Sequence, residues 1–169
     1  LFYCKIVRKM KLKEIKEKAG IEVEAFIHGA MCYGYSGQCL FSSFLGGRSG
    51  NRGRCAQPCR LPYQVLANGK STAGKKDIYP LSLKDLCSLP YIYELLDAGI
   101  DSFKIEGRMK SPEYVAGVTA IYRKYVDYYK SGRRPSIDKA DLEQLNHLYI
   151  RSEIKDGYLK KHNGKDMVS

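Results

Sequence analysis

An α/β fold with parallel strands is what this sequence predicts, on three observations. Apolar, β-branched runs alternate with helical segments along the chain, the order expected of α/β architectures. The length of 169 residues, 44% of them hydrophobic, suits one domain with an ample core. A long irregular segment leaves the end of a strand, where loops carry function in such folds.

The elements follow in order. Residues 2–8 are apolar and β-branched enough for a strand. Residues 11–18 read as a short charged helix closed by Gly20. Across residues 21–27, Ile21, Val23, Ala25 and Ile27 alternate with Glu22 and Glu24, the period of a strand. Residues 28–62 show no period and contain Gly29, Gly34, Gly37, Gly46, Gly47, Gly50 and Gly53. A loop this long in a compact domain needs something to hold it, and cysteine ligation is one answer. Residues 63–66 read as a strand, followed by an Asn68-Gly69 turn. Ser82 with Asp85 predicts a capped short helix through Cys87. Pro90 opens a further helix that runs to Ala98 and stops at Gly99. Residues 100–105 form the next strand.

The clearest helix starts at Ser111-Pro112, with Glu113 complementing its dipole, and ends at Gly132. Val115, Val118, Tyr122, Tyr125, Val126 and Tyr129 form its expected apolar stripe. Ser136 with Leu142 and Leu145 predicts a last helix, and the tail from Tyr149 is polar. No internal repeat or low-complexity tract is present.

This order fits the second half of a (β/α) barrel of the TIM type. Residues 1–135 are then a partial barrel domain carrying the cysteine loop, 28–62. Residues 136–169 are a C-terminal helix and polar tail leading toward a further C-terminal region. The start, Leu1-Phe2-Tyr3-Cys4, has neither an initiator Met nor the basic segment of a signal peptide. The expectation is a fragment whose N-terminus lies upstream. No run approaches the roughly 20 apolar residues of a membrane helix, so no membrane partner is expected.

Net charge is +11, and no acidic residue lies between Ala25 and Lys76, while Arg48, Arg52, Arg54, Arg60, Lys70, Lys75 and Lys76 do. Such a surface favours polyanions, RNA first among them; the plainer reading is a solvated basic face. Six cysteines without a secretion signal place the chain in a reducing compartment, the cytoplasm, where clustered thiols more often bind metal than pair as disulfides.

Cys32, Cys39, Cys55 and Cys59 are the compact ligand set, with Cys87 a further 28 positions on. Only Cys55 and Cys59 approach the tight spacing that structural zinc prefers, and ferredoxin spacings are absent. Zinc, an iron–sulfur cluster or buried free thiols all remain open on spacing alone. A four-thiolate cluster would carry negative charge that nearby Arg and backbone N–H groups offset. Cys4 stands apart, in a strand, and reads as core.

The stretch Glu24-Ala25-Phe26-Ile27-His28-Gly29-Ala30-Met31-Cys32, with Gly37-Gln38-Cys39 and Phe41-Ser42 after it, resembles the collagenase-like peptidase family U32. Gly46 to Arg60, Lys84-Asp85-Leu86-Cys87 and Lys104-Ile105-Glu106-Gly107-Arg108 through Val115 are similar to the same family. The resemblance runs from about residue 20 to Ser169 and implies two competing functions. Some members are named as collagen-degrading peptidases. Others are hydroxylation proteins with a four-iron, four-sulfur cluster. Those acting on RNA modify a tRNA wobble uridine or an rRNA cytidine, with prephenate implicated as oxygen source. The resemblance also implies a preceding half-barrel needed for closure, and a ligand set in which Cys87 is an alternative to Cys59 or Cys32.

The residues weigh these functions. Neither a Ser–His–acid set nor His-Glu-x-x-His is legible, and His28, His147 and His162 are scattered. A cysteine peptidase needs one activated thiolate beside a His, not a cluster. RNA hydroxylation is therefore the leading expectation, with peptide hydrolysis and an inactive RNA-binding fragment as alternatives. After the strand at 100–105, Lys104 and Arg108 are candidates to bind a carboxylate or phosphate, and Glu106 to orient them or move a proton. Glu106 and Arg108 are the catalytic candidates, Arg108 being the better substrate binder because its fork fits carboxylates. A salt-bridge network closing the barrel mouth is the plainer reading. His28 is a substrate-binding candidate or a structural histidine. Tyr33 and Tyr35 are expected to stack on a base or pack over the cluster.

Overall fold

The computed structural model describes residues 2–4, 9–35, 37–72, 78–148, 154–157, 159 and 167–168. His162, Lys75, Lys76 and most of the tail lie outside them. In chain order the elements are β1 (Phe2–Cys4), α1 (Lys9–Ala19), β2 (Val23–Gly29), α2 (Phe41–Gly46), β3 (Leu66–Ala67), β4 (Lys70–Ser71), β5 (Asp85–Cys87), α3 (Ile92–Asp97), β6 (Ser102–Ile105), α4 (Pro112–Lys130), α5 (Lys139–His147) and β7 (Ile154–Lys155). Single 3-10 turns lie at Gly50–Arg52, Pro58–Arg60 and Leu89–Tyr91. No helix among the described residues is long and apolar enough to cross a membrane. The chain divides into two compact units, Leu1–Ala30 with Asp85–Asn163, and Met31–Lys84 with Gly164–Ser169.

The first unit is a mixed α/β layer around β2. β2 pairs in parallel with β1 and with β6, and both partners use residues 24 and 25, so they flank it on opposite edges. Beyond β1, at His28 and Gly29, the same edge of β2 takes up β5 in antiparallel register, and β5 pairs in parallel with β7. The expectation of parallel strands throughout is corrected at β5.

The helix expected from Ser82 through Cys87 is also replaced by β5. All three of its residues are buried. Their backbone groups pair with β2 on one side and β7 on the other. The Asp85 carboxylate, which a capping box would need, lies instead beside the Lys110 ammonium. Tertiary pairing overrides a local cap signal here, because a buried backbone must place its N–H and C=O groups.

Val23, Ala25 and Ile27 of β2 pack with Ile92 and Leu95 of α3 and with the buried face of α4. Burying a side chain of this kind contributes about 1.5–3 kcal/mol. Ser111 caps α4, its hydroxyl accepting the Tyr114 N–H at 3.3 Å. The buried stripe is Tyr114, Val118, Ile121, Tyr122 and Tyr125, whereas Val115 faces solvent. The expected stripe was rotated because hydropathy favoured Val115, while the tyrosines bury their rings and find partners for their hydroxyls. α5 starts two residues later than expected, capped by Asp138, which accepts the Ala140 N–H at 2.9 Å, rather than by Ser136.

The second unit is built differently. Its buried residues are few: Met31, Ser42, Pro58, Ser82, Leu83 and Met167 among those described. β3 and β4 form a hairpin whose Asn68 (φ 51°) and Gly69 (φ 75°) are both left-handed, the signature of a type I′ turn. The long loop is not wholly irregular, since α2 and two 3-10 turns lie within it. The Arg60 guanidinium donates to Ser82 Oγ at 2.9 Å, to the Leu83 carbonyl at 2.5 Å and to the Met31 carbonyl. One side chain thus ties together the beginning and the end of the 31–84 excursion.

Candidate functional site

The first unit gathers buried polar groups where β2 ends. The register with β6 shifts between Phe26 and His28, a bulge that re-aims the following side chain. His28 thereby packs its ring edge-on against Tyr122 and tilted against Tyr114, both on α4. Its Nδ1 lies 3.3 Å from the Tyr122 hydroxyl. That hydroxyl donates to the Ile27 carbonyl at 3.0 Å, accepts the Ser88 N–H at 3.1 Å, and lies 3.8 Å from Cys87 Sγ. Burial, then the Lys110 cation, lowers the His28 pKa to about 4, so the ring is neutral near pH 7. Burial also pushes the Cys87 thiol up and the Tyr122 phenol well up.

Gly29 follows at φ 101°, and a Cβ there would lie 2.7 Å from the Glu106 carbonyl oxygen. Only glycine lets β2 pass this close to the turn after β6. The Glu106 N–H closes that approach by donating to the His28 carbonyl at 2.9 Å. Lys110 and Asp85, with side chains each 2% exposed, form an ion pair at 3.8 Å, and the ammonium also sits 4.9 Å from the centre of the Tyr114 ring.

Lys104, Glu106 and Arg108 do not converge on one point. The Lys104 ammonium pairs with Glu24 at 3.1 Å, on the sheet face opposite the core, and Glu24 also accepts from Ser102 Oγ at 2.8 Å. The Glu24 carboxyl is held below its usual range: burial raises it, but the Ser102 and Lys104 hydrogen bonds outweigh that. Glu106 turns its carboxylate to the Arg108 N–H at 3.0 Å, and Arg108 itself is exposed. Asp85, Lys110, Tyr114 and Tyr122 were missed as site residues. Lys110 lies two positions beyond Arg108 in one charged run, which was the available signal. Asp85 carries a cap signal and Tyr122 belongs to the expected apolar stripe, whereas Tyr114 gives no separate signal.

In the second unit, Cys32 and Cys39 are exposed and Cys55 and Cys59 half-buried, all as free thiols. The Cys59 thiol is held above its usual range first by burial, against the pull of the Arg60 guanidinium, and then by Cys32, Cys55 and Cys39. Cys59 therefore lies within electrostatic reach of the other three sulfurs. Among the described residues no group of three or more His, Cys, Asp or Glu is poised at metal-ligand geometry.

Three features of the chain fit a thiolate-bound group. The Gln57 N–H donates to Cys55 Sγ at 3.3 Å, from a left-handed Gln57 backbone (φ 59°). A Cβ on Gly34 would press to 3.3 Å on Cys39 Cβ, so that glycine leaves room beside Cys39. No carboxylate of residues 25–76 competes with the arginines for their charge. Tyr33 and Tyr35 are both exposed, as are Arg52 and Arg54.

Comparison with known proteins places this geometry in context. Residues 7–169 match the family described as Peptidase family U32. The tRNA hydroxylation protein P1 of Bacillus subtilis is 46% identical over 125 residues, covering 71% of this chain and 30% of that protein. The 23S rRNA 5-hydroxycytidine C2501 synthase of Escherichia coli is 39% identical over 145 residues, 86% of this chain and 22% of that protein. A collagenase of Porphyromonas gingivalis is 39% identical over 140 residues, 82% of this chain and 38% of that protein. The chain thus spans less than half the length of each of these relatives. No solved structure matches it.

Proposed function

The chain belongs to peptidase family U32, and on that premise we propose that it is the cluster-bearing part of a protein that hydroxylates an RNA base. The observation that carries this reading is the second unit: four cysteines, with Cys59 in electrostatic reach of the other three, inside an acid-free, arginine-rich segment. Cys32, Cys39, Cys55 and Cys59 would hold a four-iron, four-sulfur cluster. Cys87 is the alternative ligand, but it is buried in the first unit with its thiol pKa raised. Zinc is the weaker alternative, for want of a second tight cysteine pair. When bound, the cluster supplies one-electron redox chemistry.

The chain's own residues support that role in defined ways. Arg60 fixes the two ends of the cysteine segment and places a positive charge next to Cys59. Backbone N–H groups and the arginines offset thiolate charge. The successive parallel strands β1, β2 and β6, with α1 and α3 between them in the chain, match consecutive units of a (β/α) barrel. We assign the first unit to the second half of such a barrel, closed by a preceding half. Arg108 is suited to a small carboxylate such as the prephenate class, with Glu106 positioning it through its backbone, whereas Lys104 is taken up by Glu24. We place the chain in the cytoplasm, the setting where clustered thiols more often bind metal than pair as disulfides.

Peptide hydrolysis draws its support from the names of relatives, the collagenase among them. The site argues against it. His28 is buried and neutral, with Nδ1 against the Tyr122 hydroxyl, and the nearby Cys87 thiol is pushed up rather than activated.

Nucleoside analysis of RNA from a strain lacking the gene tests the proposal. The expected result is loss of a hydroxylated uridine or cytidine, restored by the wild-type gene but not by Cys39→Ser. Unchanged nucleosides, together with gelatin cleavage by the purified full-length protein, would establish the peptidase reading instead.

A further inference from the structure

We propose that the outer face of the second unit around α2 is a docking surface for single-stranded RNA. Phe44 and Tyr35 are its stacking platforms, and Arg52 and Arg54 its phosphate contacts. The inference rests on the RNA reading above and adds where, and in what form, the RNA binds.

Phe44 is 83% exposed and Tyr35 74% exposed, with Leu45 exposed beside Phe44. A soluble surface seldom presents large apolar groups together unless they meet something. Hydrogen bonds tie together the backbone segments that carry these groups. The Arg48 N–H donates to the Ser42 carbonyl of α2 at 3.2 Å, and Arg48 Nε to the Arg54 carbonyl at 3.0 Å. Asn51 Nδ2 donates to the Gly37 carbonyl at 2.9 Å, and the Gln38 N–H to the Tyr35 carbonyl at 3.2 Å. The backbone that bears the rings and the arginines, residues 35–54, is thus drawn together by these bonds.

Charge decides the occupant. With no acidic residue from Ala25 to Lys76, this face offers nothing to the basic groups of a mixed-charge protein partner. A polyanion that carries flat apolar rings satisfies both the arginines and the aromatics. In a duplex those ring faces are already stacked on one another, so the fit is to an unpaired strand.

The test uses the full-length protein and a fluorescent oligouridylate of about 12 nucleotides, with an RNA duplex of matched length as control. The wild type is expected to prefer the single strand. Phe44→Ala and Tyr35→Ala are each expected to weaken binding about tenfold, equivalent to ~1.4 kcal/mol. Tyr35→Phe keeps the affinity, because stacking needs the ring and not the hydroxyl. Arg54→Gln lowers the slope of log affinity against log salt by about 0.7. The Phe44 and Tyr35 variants alter exposed side chains and retain wild-type iron content, and Arg54→Gln is compared with wild type at equal iron content. Wild-type affinity in both alanine variants, or equal binding of duplex, overturns the surface. So does a Phe44→Ala variant that changes oligomeric state but not RNA affinity, since the face would then meet protein. If the surface fails while the hydroxylated nucleoside still depends on the gene, only the docking site is wrong. If Phe44 and Tyr35 govern RNA binding but the nucleosides are unchanged on deletion, the surface stands and hydroxylation falls.

Discussion

The two units solve the same problem with opposite means. The first buries Val23, Ile27, Ile92, Leu95, Val118 and Tyr125 in a continuous core. The second leaves Tyr33, Leu40, Phe44, Leu45 and Leu66 exposed and buries few apolar residues of its own. It relies on directional contacts instead: the Arg60 fork, the Ser42 hydroxyl accepting the Ala56 N–H at 2.9 Å, and the Asn51 amide. A unit with so little buried apolar surface gains little from the hydrophobic effect, and small units of this kind usually need a metal or cross-link. The difference shows where a thiolate-bound group would matter to folding and where it would not.

That contrast breaks most readily at its strong end. Leu95→Ala is expected to cost about 2–5 kcal/mol by opening a cavity in the first unit, read as a fall in the urea midpoint at unchanged slope. A loss comparable to that of a surface change would mean that the core does not carry the first unit.

Acid should weaken the first unit next. His28 has an ordinary pKa of 6.5 when unfolded and about 4 when folded, so the fold disfavours its charged form. The resulting stability is fully present above pH 6.5 and is lost as pH falls toward about 4, amounting to about 3 kcal/mol. Urea unfolding of His28→Gln across this range should show a shallower pH dependence than wild type.

Arg60→Met is expected to cost about 2 kcal/mol, by leaving the Met31 and Leu83 carbonyls without their charged donor. Hydrogen exchange should locate the change within residues 31–84, with the amides of β2 and α4 unaffected. Faster exchange across the whole chain would show that the two units are one cooperative body. Smallest of all, Leu45→Ala should shift stability by less than about 0.5 kcal/mol, since the side chain is already exposed.

Much of the first unit could be read from local pattern. The alternation around Val23, Ala25 and Ile27, the Ser111-Pro112 start and the Gly99 and Gly132 stops all reflect forces acting within a few residues. β5 could not be read that way, because Asp85, Leu86 and Cys87 become a strand only when β2 and β7 lie beside them. The short β7 gave no signal for the same reason. In the candidate site, clustered cysteines and a charged run were plain in the chain. The Lys110–Asp85 pair was not, since its members lie 25 residues apart in sequence and meet only through packing.

The sequence by itself determined the family, the alternating α/β order and the acid-free cysteine segment, because each is a property of residue types and their spacing. Tertiary structure decided the antiparallel entry of β5, the turning of His28 onto α4 and the closure of the cysteine segment by Arg60. Each of these depends on backbone and side-chain groups far apart in the chain finding partners once water is excluded, which local propensity does not encode.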